Sequence, residues 1–349
     1  MTRKTIAFGM GAALLAFGAT GLPAQTCTRI LWNTNKLAVV AGRTMDWPES
    51  TEPILTVFPR GLTHNGGYVG AHQTETVNPA IWTSRYGSIG VTIYGIGTAD
   101  SLNERGLAGH MLYLQATDFG PRDPSKPAVH AGLWLQYLVD NAANVDEALA
   151  LLDKIQIRPA QAHGHQATVH LALEDASGDS AIVEYVAGKP LIHHGRQYRV
   201  MTNDPSYDQQ LALLKKFDFS HPNDEIPLPG NVNPRDRFQR ASYFAAMLPE
   251  PKDQRQAIAG ILAIARNASV PFGAPYHQFG VYNTEYRTAI DLTDRRYFFE
   301  LSTAPNLIWA DLDKFDLSPG APVMELNPEN IDLSGNVTTD FKKADKAPF

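Results

Sequence analysis

The chain has 349 residues, a formal charge of −6 at pH 7 and a single cysteine, Cys27. An acidic chain without a basic tract offers no electrostatic basis for binding nucleic acid or an anionic membrane surface. A single cysteine also excludes an internal disulfide, which exported proteins commonly use.

Residues 1–26 have the pattern of an export signal. Arg3 and Lys4 precede an apolar run at 6–22, and small residues follow it. The run is interrupted by glycines and is shorter than the roughly 20 apolar residues of a stable membrane span. We therefore expect a periplasmic or secreted protein without a stable span. Removing the two basic residues takes the formal charge from −6 to −8.

The first elements after the signal are predicted to be strands. Segments 28–33 and 36–47 flank an Asn-rich turn, which indicates a hairpin immediately after Cys27. Further strands are predicted at 54–58 and 88–95. A turn at 103–106 then leads into another strand.

Helical spacing of apolar residues begins at 129 and continues to 155. It predicts two consecutive helices, the second with Asn144 as N-cap and Glu147 three residues later. The remaining elements alternate in blocks: strands at 167–175 and 180–187, helices at 207–217, 235–247 and 252–266, and strands at 284–292 and 296–303. Blocks of strands and helix pairs predict an α+β fold with largely antiparallel sheets, in one domain spanning 27–349.

Cys27 becomes a candidate nucleophile if processing makes it the first residue. Its α-amino group, with a pKa of about 7.7–8.0, would then lie beside its own thiol, so one residue would supply both nucleophile and base. Arg43 and Asp46 end the second hairpin strand, where Arg43 would favour the thiolate and Asp46 would orient the amine. Spacing alone favours a simpler interpretation, a surface Arg–Asp ion pair.

Five motifs together carry a family resemblance. They are C-T-R-I, G-R-T-M-D-W, N-E-R-G-L, M-T-N-D-P-S-Y-D-Q-Q-L and R-D-R-F-Q-R-A, and they run in this order from Cys27 to Ala241. The set resembles the choloylglycine hydrolase family, which includes penicillin V acylases, conjugated bile salt hydrolases and acyl-homoserine-lactone acylases. The resemblance implies a four-layer αββα N-terminal nucleophile hydrolase. It also implies cofactor-independent, metal-free hydrolysis of linear amides through a thioester.

The resemblance also assigns roles to individual residues. Cys27 matches the nucleophile, Arg43 its neighbouring arginine and Asp46 the aspartate that orients the amine. The backbone N–H of Tyr113 and the side-chain amide of Asn203 match the oxyanion hole.

A later active-site arginine matches Arg237, although Arg235 and Arg240 lie close by in the sequence. By analogy with the family, a homo-oligomer, specifically a tetramer, is expected. Thr26 is an unusual last residue for signal peptidase. A short propeptide such as Gln25-Thr26 would therefore remain, and Cys27 would remove it by attacking the preceding carbonyl.

The sequence does not decide which small acyl amide is the substrate. The export signal and Trp47 favour penicillin V or acyl-homoserine lactones over bile salts, by analogy only. Trp47, Trp82 and Tyr86 could line an acyl pocket, although core packing explains each equally well. A different class of protein, a lipoprotein or binding module anchored at Cys27, fits poorly because Ala24 and Thr26 depart from the usual lipoprotein signal.

Overall fold

The computed structural model describes residues 26–162, 164–223, 225–275, 282–304 and 306–349. The predicted export signal, and the predicted propeptide apart from Thr26, lie outside the described residues. Elements are numbered in chain order. The helices are α1 (Trp134–Asn141), α2 (Val145–Leu152), α3 (Tyr207–Leu214), α4 (Pro234–Met247) and α5 (Gln254–Ala268).

Two large sheets form the centre of the fold. The first contains, in spatial order, β18 (Val200–Met201), β1 (Thr26–Trp32), β2 (Val40–Trp47), β19 (Asn283–Asp291), β20 (Arg296–Leu301), β21 (Ile308–Asp311) and β23 (Gly335–Asn336). The second contains β17 (Lys189–His194), β16 (Ser180–Val186), β15 (Val169–Asp175), β10 (Leu107–Tyr113), β9 (Gly97–Asn103), β8 (Ser88–Ile93), β3 (Ile54–Phe58), β22 (Met324–Leu326) and β24 (Lys342–Lys343).

Four short strand pairs lie outside the two large sheets. They are β4 (Thr63–Asn65) with β7 (Ile81–Thr83), β5 (Tyr68–Val69) with β6 (His72–Gln73), β11 (Ala128–His130) with β12 (Gln156–Arg158), and β13 (Gln161–Ala162) with β14 (His165–Gln166). Among the described residues of the large sheets, β21 and β23 form the one parallel pair. The prediction of largely antiparallel sheets is therefore confirmed.

The sheets pack face to face between two helical layers. Helices α4 and α5 cover β1 and β2 on the outside of the first sheet, with α3 beside α4, while α1 and α2 cover β9, β10 and β15. One hydrophobic cluster fills the space between the sheets and under α4 and α5, and a second lies under α1 and α2. This is the αββα arrangement that the resemblance implies.

Local sequence explains where the helices begin. The side chains of Asn144, Asn233 and Asp253 each accept a hydrogen bond from a first-turn N–H of α2, α4 and α5. Pro234 occupies the first position of α4, where its missing N–H costs nothing. The predicted cap at Asn144 is confirmed. Helix α3 ends three residues before its predicted end, at Leu214.

The predicted hairpin after Cys27 is confirmed and its register is regular. Cys27 lies opposite Met45 and Thr28 opposite Thr44 on β2. A glycine, Gly42, allows α5 to pack closely against the middle of β2, because a Cβ there would overlap the Ile261 side chain. The close approach of α5 therefore fixes the strand that also carries Arg43.

Gly42→Ala should destabilise the protein by about 1–3 kcal/mol through overpacking of the interface between α5 and β2. Urea unfolding would measure this loss. Gly230→Ala is the matched control, since an added Cβ at Gly230 meets nothing within 4 Å. Combining Gly42→Ala with Ile261→Ala should cost less than the sum of the single changes, and strict additivity would contradict the proposed overlap.

Candidate active site

Cys27 lies near the start of β1, at the wall of a small cavity. Its side chain is 2% exposed, and its Sγ lies 3.8 Å from Arg43 Nη2 and 3.8 Å from Met45 Sδ. The cavity holds about 100 Å³ and has a mostly apolar lining. Besides the residues already named, the side chains around it include Trp47, Ile93, Ile96, Met111, Tyr113 and Val169. The only thiol of the chain is therefore placed beside space that a small apolar group could occupy.

Arg43 is held in place on both sides of its guanidinium. Nη1 lies 3.3 Å from Asp100 Oδ2 on β9, and Nη2 donates to the Met111 carbonyl at 3.1 Å. Burial raises the pKa of the Cys27 thiol, and the Asp46 carboxylate adds to this effect. The Arg43 guanidinium and the Asp46 backbone N–H act in the opposite direction. Arg43 is thus the cation that favours the thiolate.

Asp46 lies one residue before the end of β2 and is fully buried. Its Oδ1 accepts from the Thr284 hydroxyl at 2.5 Å, and its Oδ2 accepts from the Thr44 hydroxyl at 3.2 Å. Arg237 Nη1 lies 3.5 Å from the same Oδ2. In the strand ladder the backbone of Asp46 is opposite that of Thr26, the residue before Cys27.

Asn203 follows β18 and connects three parts of the site. Its Oδ1 accepts hydrogen bonds from the Cys27 N–H and from Arg237 Nη2, the latter at 3.1 Å. Its Nδ2 donates to the Tyr113 carbonyl at 2.7 Å. A side-chain amide carries two N–H donors, so this bond leaves a second donor for a ligand.

Arg237 projects from α4 into the site and is fully buried. Nη1 donates to the Cys27 carbonyl at 2.7 Å and to the Thr28 hydroxyl. Of the neighbouring arginines, Arg235 is exposed, and Arg240 donates to two backbone carbonyls of the loop before α4. Of these three arginines, Arg237 is the one that contacts Cys27 and Asn203.

The backbone of Tyr113 faces the same region. The N–H of the next residue, Leu114, donates to the Thr168 carbonyl at 2.9 Å. Because backbone groups alternate in direction along a strand, the N–H and C=O of Tyr113 both point away from β15. Its carbonyl meets Asn203, so its N–H is directed to the same side.

Comparison with known proteins identifies the family of this chain. The profile described as "Linear amide C-N hydrolases, choloylglycine hydrolase family" matches residues 27–339. The chain belongs to the choloylglycine hydrolase family. It is therefore an amide hydrolase, as the sequence motifs predicted.

Several relatives of this chain are known. Penicillin V acylase from Pectobacterium atrosepticum is 35% identical over 97% of this chain and 95% of its own length. The structure of penicillin V acylase from Agrobacterium tumefaciens has a TM-score of 0.82 and 38% identity, covering 92% of this chain and 98% of the other. The crystal structure of a mutant of the conjugated bile acid hydrolase from Clostridium perfringens has a TM-score of 0.74 and 20% identity, covering 88% of this chain and 98% of the other. At that identity the likeness supports the fold alone. The N-terminal nucleophile hydrolase fold is thereby confirmed.

The three aromatic residues suggested for an acyl pocket are separated in the structure of this family member. Trp47 lines the cavity beside Cys27. Trp82 instead packs under α1, where its Nε1 donates to Asp140 at 2.7 Å. Tyr86 is half-buried with its ring against Arg85. Trp82 and Tyr86 do not line this cavity, which corrects the expectation that they share a pocket with Trp47, and core packing accounts for Trp82.

Sequence reasoning missed four residues that complete the site. Met45 and Thr28 could have been found, because they neighbour Cys27 in the predicted hairpin. Asp100 and Thr284 reach the site from β9 and β19, and a single sequence contains no local signal for that contact.

No metal site is apparent beside the thiol among the residues that the structure describes. One group able to hold a cation, Asp146 with Asp179 and His194, lies at the surface, where exposed acidic groups are common without one. Over the same residues, no helix has the length and apolar character needed to cross a membrane.

Thr284→Val should lower kcat/KM by about tenfold, because the Asp46 carboxylate loses the hydroxyl that fixes it. It should also cost about 1–3 kcal/mol of stability, since the Val270 N–H, which donates to the same hydroxyl at 2.8 Å, loses its acceptor.

Amide-release kinetics and urea unfolding would measure the two effects of Thr284→Val. Thr56→Val is a matched control, because that buried hydroxyl pairs with Thr92 and touches none of the site residues. Equal kcat/KM in both variants would contradict a positioning role for Thr284.

Proposed function

We propose that this chain is an exported acylase whose nucleophile is Cys27, made the first residue by removal of residues 1–26. The single observation that carries this proposal is the environment of Cys27. Its thiol faces an apolar cavity and a buried arginine, while its backbone nitrogen donates to Asn203. A site arranged around both the thiol and the nitrogen of one residue is what N-terminal nucleophile chemistry requires.

The mechanism follows from which groups surround each atom. Burial keeps the thiol protonated near neutral pH, so a base is needed, and the freed α-amine of Cys27 is positioned to take the proton. The sulfur attacks the amide carbon and forms a tetrahedral oxyanion. The Tyr113 N–H and the second N–H of Asn203 stabilise that oxygen.

Collapse of the intermediate breaks the C–N bond. The leaving amine takes the proton from the α-ammonium group, and the acyl group remains on sulfur as a thioester. Water, deprotonated by the same amine, then releases the acid and restores the thiol. Arg237 holds the N-terminal residue at its carbonyl throughout, and Asp46 forms an ion pair with Arg237.

The substrate class is inferred from the cavity and from the relatives. An apolar cavity beside the thiol suits the aryl or alkyl part of an acyl group, and Trp47 offers a flat surface for it. Two relatives above 30% identity are named penicillin V acylases. Penicillin V is therefore the first substrate to test, followed by acyl-homoserine lactones and, as the alternative, conjugated bile salts.

Maturation uses the same chemistry as turnover. After export to the periplasm, Cys27 Sγ attacks the Thr26 carbonyl, the peptide nitrogen leaves with the thiol proton, and water cleaves the resulting thioester. The position of Asp46 opposite Thr26 in the strand ladder supports this step. We also propose, by family analogy, that the mature protein is a homo-oligomer, specifically a tetramer.

Release of the amine from penicillin V, long-chain acyl-homoserine lactones and glycocholate should identify the substrate. Cys27→Ala should reduce kcat/KM for the best of them by more than about a thousandfold. Cys27→Ser serves as the conservative control, and its kcat/KM is expected to lie between those of the unaltered enzyme and Cys27→Ala. Turnover by Cys27→Ala equal to that of the unaltered enzyme would exclude Cys27 as the nucleophile.

Intact mass of the protein purified from the periplasm tests the maturation step. We expect the mass of residues 27–349, and for Cys27→Ala a larger mass that retains residues before position 27. A diacylglyceryl increment on Cys27 would instead support the lipoprotein alternative and refute the acylase proposal.

A further inference from the structure

Two buried arginines lie directly opposite each other in the first sheet. Arg29 on β1 is paired in register with Arg43 on β2, and the two side chains are 0% and 1% exposed. Like charges opposite each other repel, and buried charges require partners. The second sheet supplies those partners.

Each arginine meets one carboxylate of the second sheet. Arg29 donates to Glu174 Oε2 through Nε at 3.1 Å and Nη2 at 2.5 Å, and Arg43 faces Asp100. Asp100 also accepts from the hydroxyls of Thr288, at 2.9 Å, and Tyr297. The two ion pairs therefore join the sheets where they face each other.

His110 lies between the two carboxylates. It is opposite Asp100 in the strand ladder, its Nε2 is 2.7 Å from Glu174 Oε1, and its Nδ1 is 3.7 Å from Asp100 Oδ2. Burial opposes a charge on the imidazole, but the two carboxylates outweigh it and raise the pKa of His110. The charged and titratable groups that face it are those of Asp100, Glu174, Arg29, Arg43 and, beyond Asp100, Tyr297.

Five side chains form one line of charged and titratable groups between the sheets: Arg29, Glu174, His110, Asp100 and Arg43. The charges in this line do not cancel. When His110 is protonated, two guanidinium groups and an imidazolium oppose two carboxylates, which leaves one positive charge. Arg43 connects this line to Cys27 Sγ at 3.8 Å. The nearby Asp46 and Arg237 form their own ion pair, so they do not neutralise it.

We propose that His110 is a positioning residue for the nucleophile, acting through Asp100 to hold Arg43 against Cys27 and adding the positive charge that favours the thiolate. This inference rests on the proposed role of Cys27. If the role of His110 were purely structural, replacing it would lower the stability of the protein. It would not change the ionisation of the Cys27 thiol, from which His110 is separated by Asp100 and Arg43. Ionisation of Cys27 is therefore the decisive measurement.

Because Cys27 is the only cysteine, its alkylation can be followed without interference from other thiols. The rate of alkylation by iodoacetamide is measured as a function of pH. We expect His110→Gln in the mature enzyme to raise the midpoint of this pH profile by about one pH unit. That shift corresponds to about a tenfold slower reaction below the midpoint. Turnover should fall through kcat, with KM little changed.

His64→Gln is the matched control. His64 is 2% exposed and its Nε2 lies 3.5 Å from Asp140, but it belongs to neither the line nor the site. Burial lowers the pKa of His64 to about 4, so the substitution removes an imidazole without removing a charge. The alkylation midpoint should match that of the unaltered enzyme.

A second measurement does not depend on the folding of His110→Gln. Electrostatic coupling is reciprocal, so over the pH range in which Cys27 ionises the thiolate must favour the protonated form of His110. NMR of ring-labelled histidine would compare the mature enzyme with Cys27→Ala protein produced without residues 1–26. Identical His110 titrations, or an unchanged alkylation midpoint in a folded His110→Gln, would overturn the inference. Turnover by Cys27→Ala would instead refute the proposed nucleophile.

Discussion

The site depends first on the antiparallel pairing of β1 with β2. This register places Cys27, Arg43 and Asp46 at one corner of the first sheet, although the chain separates them by many residues. Side chains alternate between faces along a strand, so a slip of one residue would move Arg43 from the interior to the helical side. Packing of α5 against Gly42 fixes the same strand from outside. Register and helix packing therefore position the guanidinium before any ligand binds.

A second constraint is the cost of charge between the two sheets. Burying the thiol disfavours its ionised form, and burying Arg43 would be unfavourable without Asp100. The fold meets both demands with one set of contacts, because the cation that favours the thiolate is itself held by the second sheet. Ion pairs of this kind are weak evidence for stability. Under the proposed function, their placement in the interior is explained by the chemistry at Cys27 instead.

Sequence alone predicted the features that depend on neighbouring residues. The hairpin, the Asn144 cap and the association of Cys27 with Arg43 and Asp46 follow from strand pattern, capping residues and family motifs. Asp100 and Thr284 were missed because their contacts join strands distant in the chain. The sequence left Trp82 open between a pocket and the core, because an aromatic side chain suits both equally well, and its packing under α1 distinguishes them.

The structure, which includes Thr26, bears on the proposed maturation of the site. With Thr26 still attached and paired with Asp46, the Cys27 nitrogen already donates to Asn203, and Arg237 already binds the Cys27 carbonyl. The proposed cleavage therefore replaces a peptide N–H by an amine at a position whose partners are in place. The proposed cleavage requires no rearrangement of strands, because the pairing of β1 with β2 already holds Cys27 beside Asn203 and Arg237.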